Sequence, residues 1–97
     1  MYARVTFATA EPAKVEQTIK IMRDSILPAA KKQKGFKGLI YLTNRKTGKG
    51  MVIVLWNTEG DMTAGESSGF YQEQVAKEMP LLSGPPTMEH YEVNIKV

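Results

Sequence analysis

The chain has 97 residues, which is the length of one domain, and its formal net charge is +3. It contains no cysteine and one histidine. Disulfide frameworks, thiolate metal sites, thiol nucleophiles and a multi-histidine metal centre within one chain are therefore excluded. A domain of this size buries a modest share of its surface, so oligomerisation is the stabiliser that remains.

The first residues run directly into an alternating pattern, without the basic and apolar regions of a signal peptide. No apolar run approaches the roughly 18 residues that a membrane helix requires. We therefore expect a soluble cytoplasmic protein that does not associate with membranes. The basic residues Lys31, Lys32, Lys34 and Lys37 are interpreted as a solvated helix end, rather than as a polyanion-binding patch.

The first strand and the first helix are predicted from their periodicities. Residues 1–10 alternate with the period of two that is typical of a strand. A helix then begins at Pro12, since proline is well tolerated in a first turn. Pro28 is expected to bend or interrupt this helix because its ring displaces the hydrogen bond to the carbonyl of Asp24. Gly35 ends it, and its apolar face consists of Val15, Ile19, Met22 and Ile26.

A hairpin is predicted over residues 36–44 and 50–57, because the connection from Arg45 to Lys49 is polar and contains a glycine. The second of these strands is apolar at every position from 51 to 56. An antiparallel strand with one hydrated face alternates, so the continuous run indicates that both faces are covered.

The second half of the chain predicts one further helix and one further strand. Residues 58–66 are expected to form a polar connection with a short helical turn capped by Thr58. A helix follows from position 67 or 68 to 79, and a last strand covers 88–97. The expected apolar stripe of the helix is Phe70, Tyr71, Gln74, Val75 and Met79.

The element order βαββαβ predicts a single α+β domain, residues 1–97, with a ferredoxin-like antiparallel sheet and two helices on one face. Two helices cannot cover both faces of four strands. A partner sheet is the simplest second cover for residues 51–56, so the sequence predicts a homodimer.

Several segments together resemble the antibiotic biosynthesis monooxygenase (ABM) domain family. They are Gly35-Phe36-Lys37-Gly38-Leu39, the hairpin with Thr47-Gly48, the strand that ends in Trp56, Phe70-Tyr71 and Glu89-His90-Tyr91-Glu92-Val93. The resemblance covers essentially the whole chain and implies a dimeric α/β barrel with a cleft between sheet and helices in each subunit. Family members include cofactor-free oxygenases of aromatic polyketides, haem-degrading enzymes and many proteins of unknown role, so fold alone does not fix function.

Trp56 and Arg4 are the first candidate catalytic residues. The resemblance implies that Trp56 faces the cleft, where its indole would stack on a planar ligand and donate one hydrogen bond; the alternative is a core tryptophan. Arg4 is costly to bury without a partner. It either holds an anionic or phenolate oxygen of the substrate or pairs with Glu92 on the neighbouring last strand.

His90 is the third candidate catalytic residue. Haem-degrading relatives carry a histidine where this chain has Glu66-Ser67-Ser68-Gly69, and this departure argues against haem degradation. A strand histidine such as His90 is more typical of a surface or hydrogen-bonded residue than of a ligand or base, and haem handling through it is a third alternative. We expect no cofactor and no metal.

Cofactor-free oxygenation requires a dry pocket, a way to deprotonate the substrate, and hydrogen bonds to the resulting anion. The candidate substrate-binding residues are Trp56, Tyr41, Tyr71 and Asn57. The predicted function is that of a cofactor-independent monooxygenase-like protein acting on a small aromatic or quinol-type metabolite. A non-catalytic dimeric small-ligand-binding or stress-associated domain remains the alternative, because the same residues would line its pocket.

Nucleic-acid binding is not expected, although residues 34–41 faintly resemble the RNA-recognition signature of another βαββαβ domain. Lys37 occupies a small-residue position of that signature and Gly38 replaces a stacking aromatic residue. The segment also falls on the second strand instead of the third.

Overall fold

The computed structural model describes residues 1–97. Its four strands form one antiparallel sheet in the order β2-β3-β1-β4, which is the predicted ferredoxin-like α+β arrangement and confirms the fold class. The elements in chain order are β1 (Tyr2–Thr9), α1 (Val15–Ile21), α2 (Leu27–Lys31), β2 (Phe36–Thr43), β3 (Lys49–Trp56), α3 (Glu59–Ser67), α4 (Phe70–Glu78) and β4 (Thr87–Glu92).

The first helix is interrupted where the proline predicts. A π-helical turn, Met22–Ile26, joins α1 to α2, and Pro28 lies in the first turn of α2. Proline has no N–H to donate, and the widened turn accommodates its ring. The buried face differs from the prediction at one position, since Thr18 is buried while Ile19 is partly exposed.

The segment after β3 is a full helix, α3, and not the single turn that the sequence predicts. Thr58 caps it as expected, because its Oγ1 accepts a hydrogen bond from the N–H of Asp61 at 3.1 Å. Gly69 separates α3 from α4 with a φ of 86°, a backbone conformation that glycine adopts without strain. The helical layer therefore consists of two interrupted helices.

Alternation along the strands assigns a different role to each face of the sheet. Arg4, Thr6 and Ala8 of β1 face the helices and line the space beneath them. The intervening residues of β1 therefore face the opposite side, and they pair in register with residues of β3 that also face that side: Ala3 with Leu55, Val5 with Ile53, and Phe7 with Met51.

The face opposite the helices is apolar and open. Ile40 and Leu42 of β2 are 47% and 49% exposed, and Tyr91 of β4 is 47% exposed. One face of β3 is therefore covered by the helices. On the other face Met51 and Ile53 remain partly exposed, and Leu55 at the end of the strand is buried.

Strand β4 ends at Glu92 and not at the predicted Val97. Glu92 is paired with Tyr2, the first residue of β1, and the N–H of Val93 donates to the carbonyl oxygen of Met1. The ladder stops because β1 offers no further backbone to pair with. Residues 93–97 are irregular despite their alternating pattern.

We expect Gly48→Ala to lower the free energy of unfolding by at least about 2 kcal/mol. Gly48 has a φ of 81°, and a Cβ at this position would lie 1.8 Å from the carbonyl oxygen of Ala10. Gly84→Ala is the matched control, because it has an ordinary φ and nothing within 4 Å of the added atom. Urea unfolding measures both variants, and equal midpoints would contradict the close approach of the β2–β3 turn to Ala10.

Candidate functional site

A cavity of about 100 Å³ lies between the sheet and the helices. Because a water molecule needs about 10–15 Å³ on this scale, the cavity has room for several waters or a small ligand. Strands β1, β2 and β3 form one wall, and α1 and α4 contribute most of the other. The lining is mainly apolar, and its polar side chains are those of Arg4, Thr6, Thr18, Tyr41, Thr43, Tyr71, Gln74 and Glu78.

Arg4 enters the cavity wall from β1 and is only 3% exposed. Its Nε donates to Oε2 of Glu66 at 3.1 Å, and its Nη2 donates to the carbonyl oxygen of Met62 at 3.0 Å. A guanidinium is costly to bury without partners, and α3 supplies two of them. The predicted pairing of Arg4 with Glu92 is therefore wrong, although β1 and β4 are neighbours as expected.

The guanidinium of Arg4 also lies over two aromatic rings. Its Cζ is 4.6 Å from the ring centroid of Tyr71 and 5.3 Å from that of Trp56. The hydroxyl of Tyr71 is 2.9 Å from Oγ1 of Thr6, which fixes the ring against β1. Arg4, Trp56 and Tyr71 form what we call the cation–aromatic cluster at one end of the cavity.

Trp56 combines the two interpretations that the sequence left open. It is fully buried and packs edge-to-face on Phe36 with ring centroids 6.2 Å apart, as a core residue does. It also lines the cavity, and its Nε1 has no hydrogen-bond partner. An indole N–H only donates, and a buried donor left unpaired costs about 1–3 kcal/mol. An acceptor atom on a ligand would remove that cost.

His90 and Asn57 do not line the cavity. His90 lies opposite Arg4 in the β1–β4 register, and its Nε2 is 2.7 Å from Oε2 of Glu66, the same oxygen that Arg4 contacts. Asn57 is exposed beyond the end of β3, where its backbone N–H donates to the carbonyl oxygen of Gly35. Of the predicted site residues, the structure brings together Arg4, Tyr41, Trp56 and Tyr71.

Tyr41 forms a second polar group of the cavity together with Thr18. The hydroxyl of Tyr41 donates to Oγ1 of Thr18 at 2.9 Å, and Thr18 donates to the carbonyl oxygen of Val15 at 2.7 Å. A carbonyl oxygen only accepts, so the single proton of each hydroxyl is already committed. The Tyr41 oxygen is therefore available to a ligand as an acceptor and not as a donor.

Glu78 is the site residue that the sequence analysis missed. It lines the cavity from α4, is 8% exposed, and its Oε1 has no hydrogen-bond partner. Burial raises the pKa of Glu78 to about 7. Burial also raises the pKa of Tyr41; the hydrogen bond to Thr18 opposes this shift, and the negative charge of Glu78 adds to it. Near neutral pH Glu78 therefore exchanges between its charged and neutral forms.

The stripe of α4 explains why Glu78 was missed. The prediction placed Gln74 and Met79 on the buried face; the structure buries Gln74 as predicted, but it buries Glu78 and leaves Met79 exposed. Tyr71, Gln74 and Glu78 do recur at helical spacing, which was the available signal. A glutamate on such a stripe is normally assigned to solvent, because charged side chains are rarely buried without a partner.

No group of three or more histidine, cysteine, aspartate or glutamate side chains is arranged to hold a metal ion. None of the helices combines the length and the apolar character needed to cross a membrane.

The fold and the cavity define a class, that of ferredoxin-like α+β domains with a ligand-sized space between sheet and helices, and solved structures share this fold over nearly the whole chain. One is a monooxygenase of Streptomyces coelicolor from the gene ActVA-Orf6 in complex with nanaomycin D, with 16% identity and a TM-score of 0.76, covering 99% of this chain and 89% of that chain. A second is a protein of Deinococcus radiodurans named as a candidate antibiotic biosynthesis monooxygenase, with 12% identity and a TM-score of 0.78, covering 100% of this chain and 96% of that chain. A third is the protein of unknown function NE2512 of Nitrosomonas europaea, with 21% identity and a TM-score of 0.76, covering 99% of this chain and 91% of that chain.

At these identities the similarity shows the fold, which is the fold of structures named for the antibiotic biosynthesis monooxygenases. The predicted resemblance to the ABM domain is confirmed at that level. No protein-family model and no curated protein sequence matches the chain.

We expect the folded chain to lose stability as the pH rises from about 4.5 through about 7, because Glu78 has the higher pKa in the folded state and the folded state therefore binds more protons in this window. The full loss is on the order of 3 kcal/mol. Glu78→Gln removes this pH-dependent loss of stability. The variant should therefore be more stable than the wild type at pH 8 and as stable as the wild type below pH 4.5.

Urea unfolding across this pH range measures the difference between Glu78→Gln and the wild type. Glu73→Gln, an exposed position on the same helix, is the matched control and should show a difference that does not change with pH. A pH-independent difference for Glu78→Gln as well would show that Glu78 has an ordinary pKa.

Proposed function

We propose that this chain is a cofactor-independent monooxygenase-like protein that acts on a small aromatic or quinol-type metabolite in the cavity between sheet and helices. The observation that carries the proposal is the mainly apolar cavity that ends at the cation–aromatic cluster. Structures with this fold include a monooxygenase of S. coelicolor that binds nanaomycin D, which supports a small ligand at such a site.

The proposed reaction needs an electron-rich phenol and dioxygen. One oxygen atom enters a ring carbon and becomes a quinone oxygen, while the other leaves as water. The hydrogens of that water come from the O–H and C–H bonds of the phenol, so no external reductant is required. The protein must exclude water, remove a proton from the substrate and stabilise the anion that results.

The cation–aromatic cluster supplies the electrostatic part of this work. Arg4 is held by two groups of α3, so we propose that it acts as a fixed positive charge that favours an ionised ligand, and not as a mobile ligand-binding group. Trp56 offers its unpaired N–H to an acceptor atom, and Tyr41 and Tyr71 complete the polar lining. His90 contacts Glu66 outside the cavity and is not proposed as a catalytic residue.

We expect oxygen uptake when the purified protein is incubated with 1,8-dihydroxyanthrone or a naphthalene diol. Trp56→Phe removes the N–H and should lower kcat/KM about tenfold, which corresponds to the loss of one hydrogen bond of about 1.4 kcal/mol. Glu73→Gln is the control, because Glu73 is exposed on α4 outside the cavity and outside the open sheet face, and its uptake should equal that of the wild type. An oxygen electrode measures all three proteins.

A non-catalytic dimeric small-ligand-binding domain is the second candidate function. One observation favours it: the charge of Arg4 is already paired with that of Glu66, so the cavity presents no free positive charge to a substrate anion. Binding of the same compounds without any oxygen uptake would support this function and contradict the first.

We also propose that the chain forms a homodimer through its open sheet face. The face exposes large apolar side chains on both edge strands, Ile40 and Leu42 on β2 and Tyr91 on β4, and exposed apolar surface of this kind marks interaction sites. A second copy is the simplest partner, because two apolar sheets pack face to face at about 10 Å with interdigitating side chains.

Leu42→Lys should convert the homodimer to a monomer, since it places a charge on the apolar face that the proposed interface would bury. Ile95→Lys is the matched control, because Ile95 is an exposed residue after the end of β4 and outside the sheet. Sedimentation equilibrium at micromolar concentration measures both variants. A wild-type chain that is a stable, well-folded monomer under these conditions would contradict the proposal.

A further inference from the structure

The polar groups of the cavity define the hydrogen-bonding pattern of the molecule that fits it. Oε1 of Glu78 is unpaired, and the hydroxyl of Tyr41 has already given its proton to Thr18, so both offer only acceptors while Glu78 is ionised. The N–H of Trp56 is an unpaired donor. A complementary ligand therefore presents a donor to Glu78 and Tyr41 and an acceptor to Trp56.

We propose that Glu78 is the base that removes the proton of a phenolic hydroxyl, and that the substrate is a planar hydroxyaryl compound whose carbonyl or quinone oxygen accepts from Trp56. This inference rests on the proposed function and adds the residue that accepts the proton. The aromatic body of such a compound suits the apolar lining, to which Val52 and Val54 of β3 contribute.

The proton transfer breaks one O–H bond and forms another. The O–H bond of the phenol breaks, its electron pair stays on the phenolate oxygen, and the proton forms a new O–H bond with Oε1 of Glu78. The phenolate is then the electron-rich species that reacts with dioxygen. Tyr41 does not return the proton, because its own proton is held by Thr18 and that of Thr18 by the carbonyl oxygen of Val15.

The surroundings of Glu78 make it the group that changes charge in the working pH range. The titratable side chains that share its cavity are Tyr41 from β2, Arg4 from β1 and Tyr71 from α4; α1 contributes the uncharged Thr18. Arg4 is paired with Glu66, and burial raises the pKa of Tyr41. A base is most effective when its pKa lies near the operating pH, and burial places that of Glu78 at about 7.

Binding of 4-hydroxybenzaldehyde tests the proton partner without any turnover. The compound carries a phenolic hydroxyl and a carbonyl, and its absorbance reports whether it is ionised. The wild type should bind it at pH 7 and lose more than tenfold in affinity by pH 9, where ligand and Glu78 are both negative. Glu78→Gln should keep its affinity at pH 9 and bind the phenolate, because an amide donates to it.

Two controls separate the role of Glu78 from general effects. Glu73→Gln makes the same charge change on the exposed side of α4 and should follow the wild-type pH profile. The probe 4-methoxybenzaldehyde has no proton to give, so any pH dependence of its binding reports the charge of Glu78 alone, and at pH 7 the wild type should bind it more weakly than 4-hydroxybenzaldehyde. Identical pH profiles for the wild type and Glu78→Gln, or no binding of 4-hydroxybenzaldehyde by the wild type, would overturn the proposal.

Oxygen uptake separates this inference from the proposed function. Glu78→Gln should lower kcat/KM at least about 100-fold, the range expected for removal of a general base, while Glu73→Gln should not. If the wild type consumes no oxygen but binding depends on Glu78 as described, the proposed function fails and the role of Glu78 as proton partner stands. If Glu78→Gln consumes oxygen as fast as the wild type, the inference fails and the proposed function stands.

Discussion

Strand β3 is apolar on both of its faces, and each face needs a cover. The helices cover the face that carries Val52, Val54 and Trp56, and they leave a cavity there. The other face leaves Ile40 and Leu42 of the neighbouring strand about half exposed. Burying one such side chain fully is worth about 1.5–3 kcal/mol, which is a large amount against the 5–15 kcal/mol that typically stabilises a domain. A second copy of the chain on that face would recover part of it.

The helix-covered face of the sheet holds two buried charged side chains, and the free-energy cost of burying them is offset in different ways. Arg4 has partners on α3 and lies over two rings, so its burial cost is offset within the chain. Glu78 has no partner for Oε1, and part of its cost is met by taking up a proton near neutral pH. Uncompensated burial of this kind persists at functional sites more often than elsewhere. The charge of Arg4 is therefore balanced within the chain, whereas that of Glu78 is not.

Local sequence rules predicted the hairpin, the interruption at Pro28 and the strands apart from the end of β4, because tertiary contacts reinforce these local preferences. The sequence predictions were wrong where contacts between distant segments determine the structure, at helix α3 and at the partner of Arg4. Helix α3 is polar and contains Gly60 and Gly65, so its sequence gives little helical signal, and a Cβ at Gly65 would crowd Arg4 at 3.1 Å. The partner of Arg4 was therefore sought on β4, although the Arg4 side chain points into the helix layer where Glu66 lies.

The proposals for this site depend on one property, a Glu78 carboxyl group that titrates near neutral pH beside the bound hydroxyaryl ligand. The most direct test is a pH titration of the side-chain carboxyl carbon of Glu78 by NMR, in the free protein and in the protein saturated with 4-hydroxybenzaldehyde. We expect a midpoint near pH 7 in the free protein and a clear change in that midpoint when the ligand is bound. A midpoint near 4.5, the ordinary value for an exposed glutamate, that the ligand leaves unchanged would contradict it.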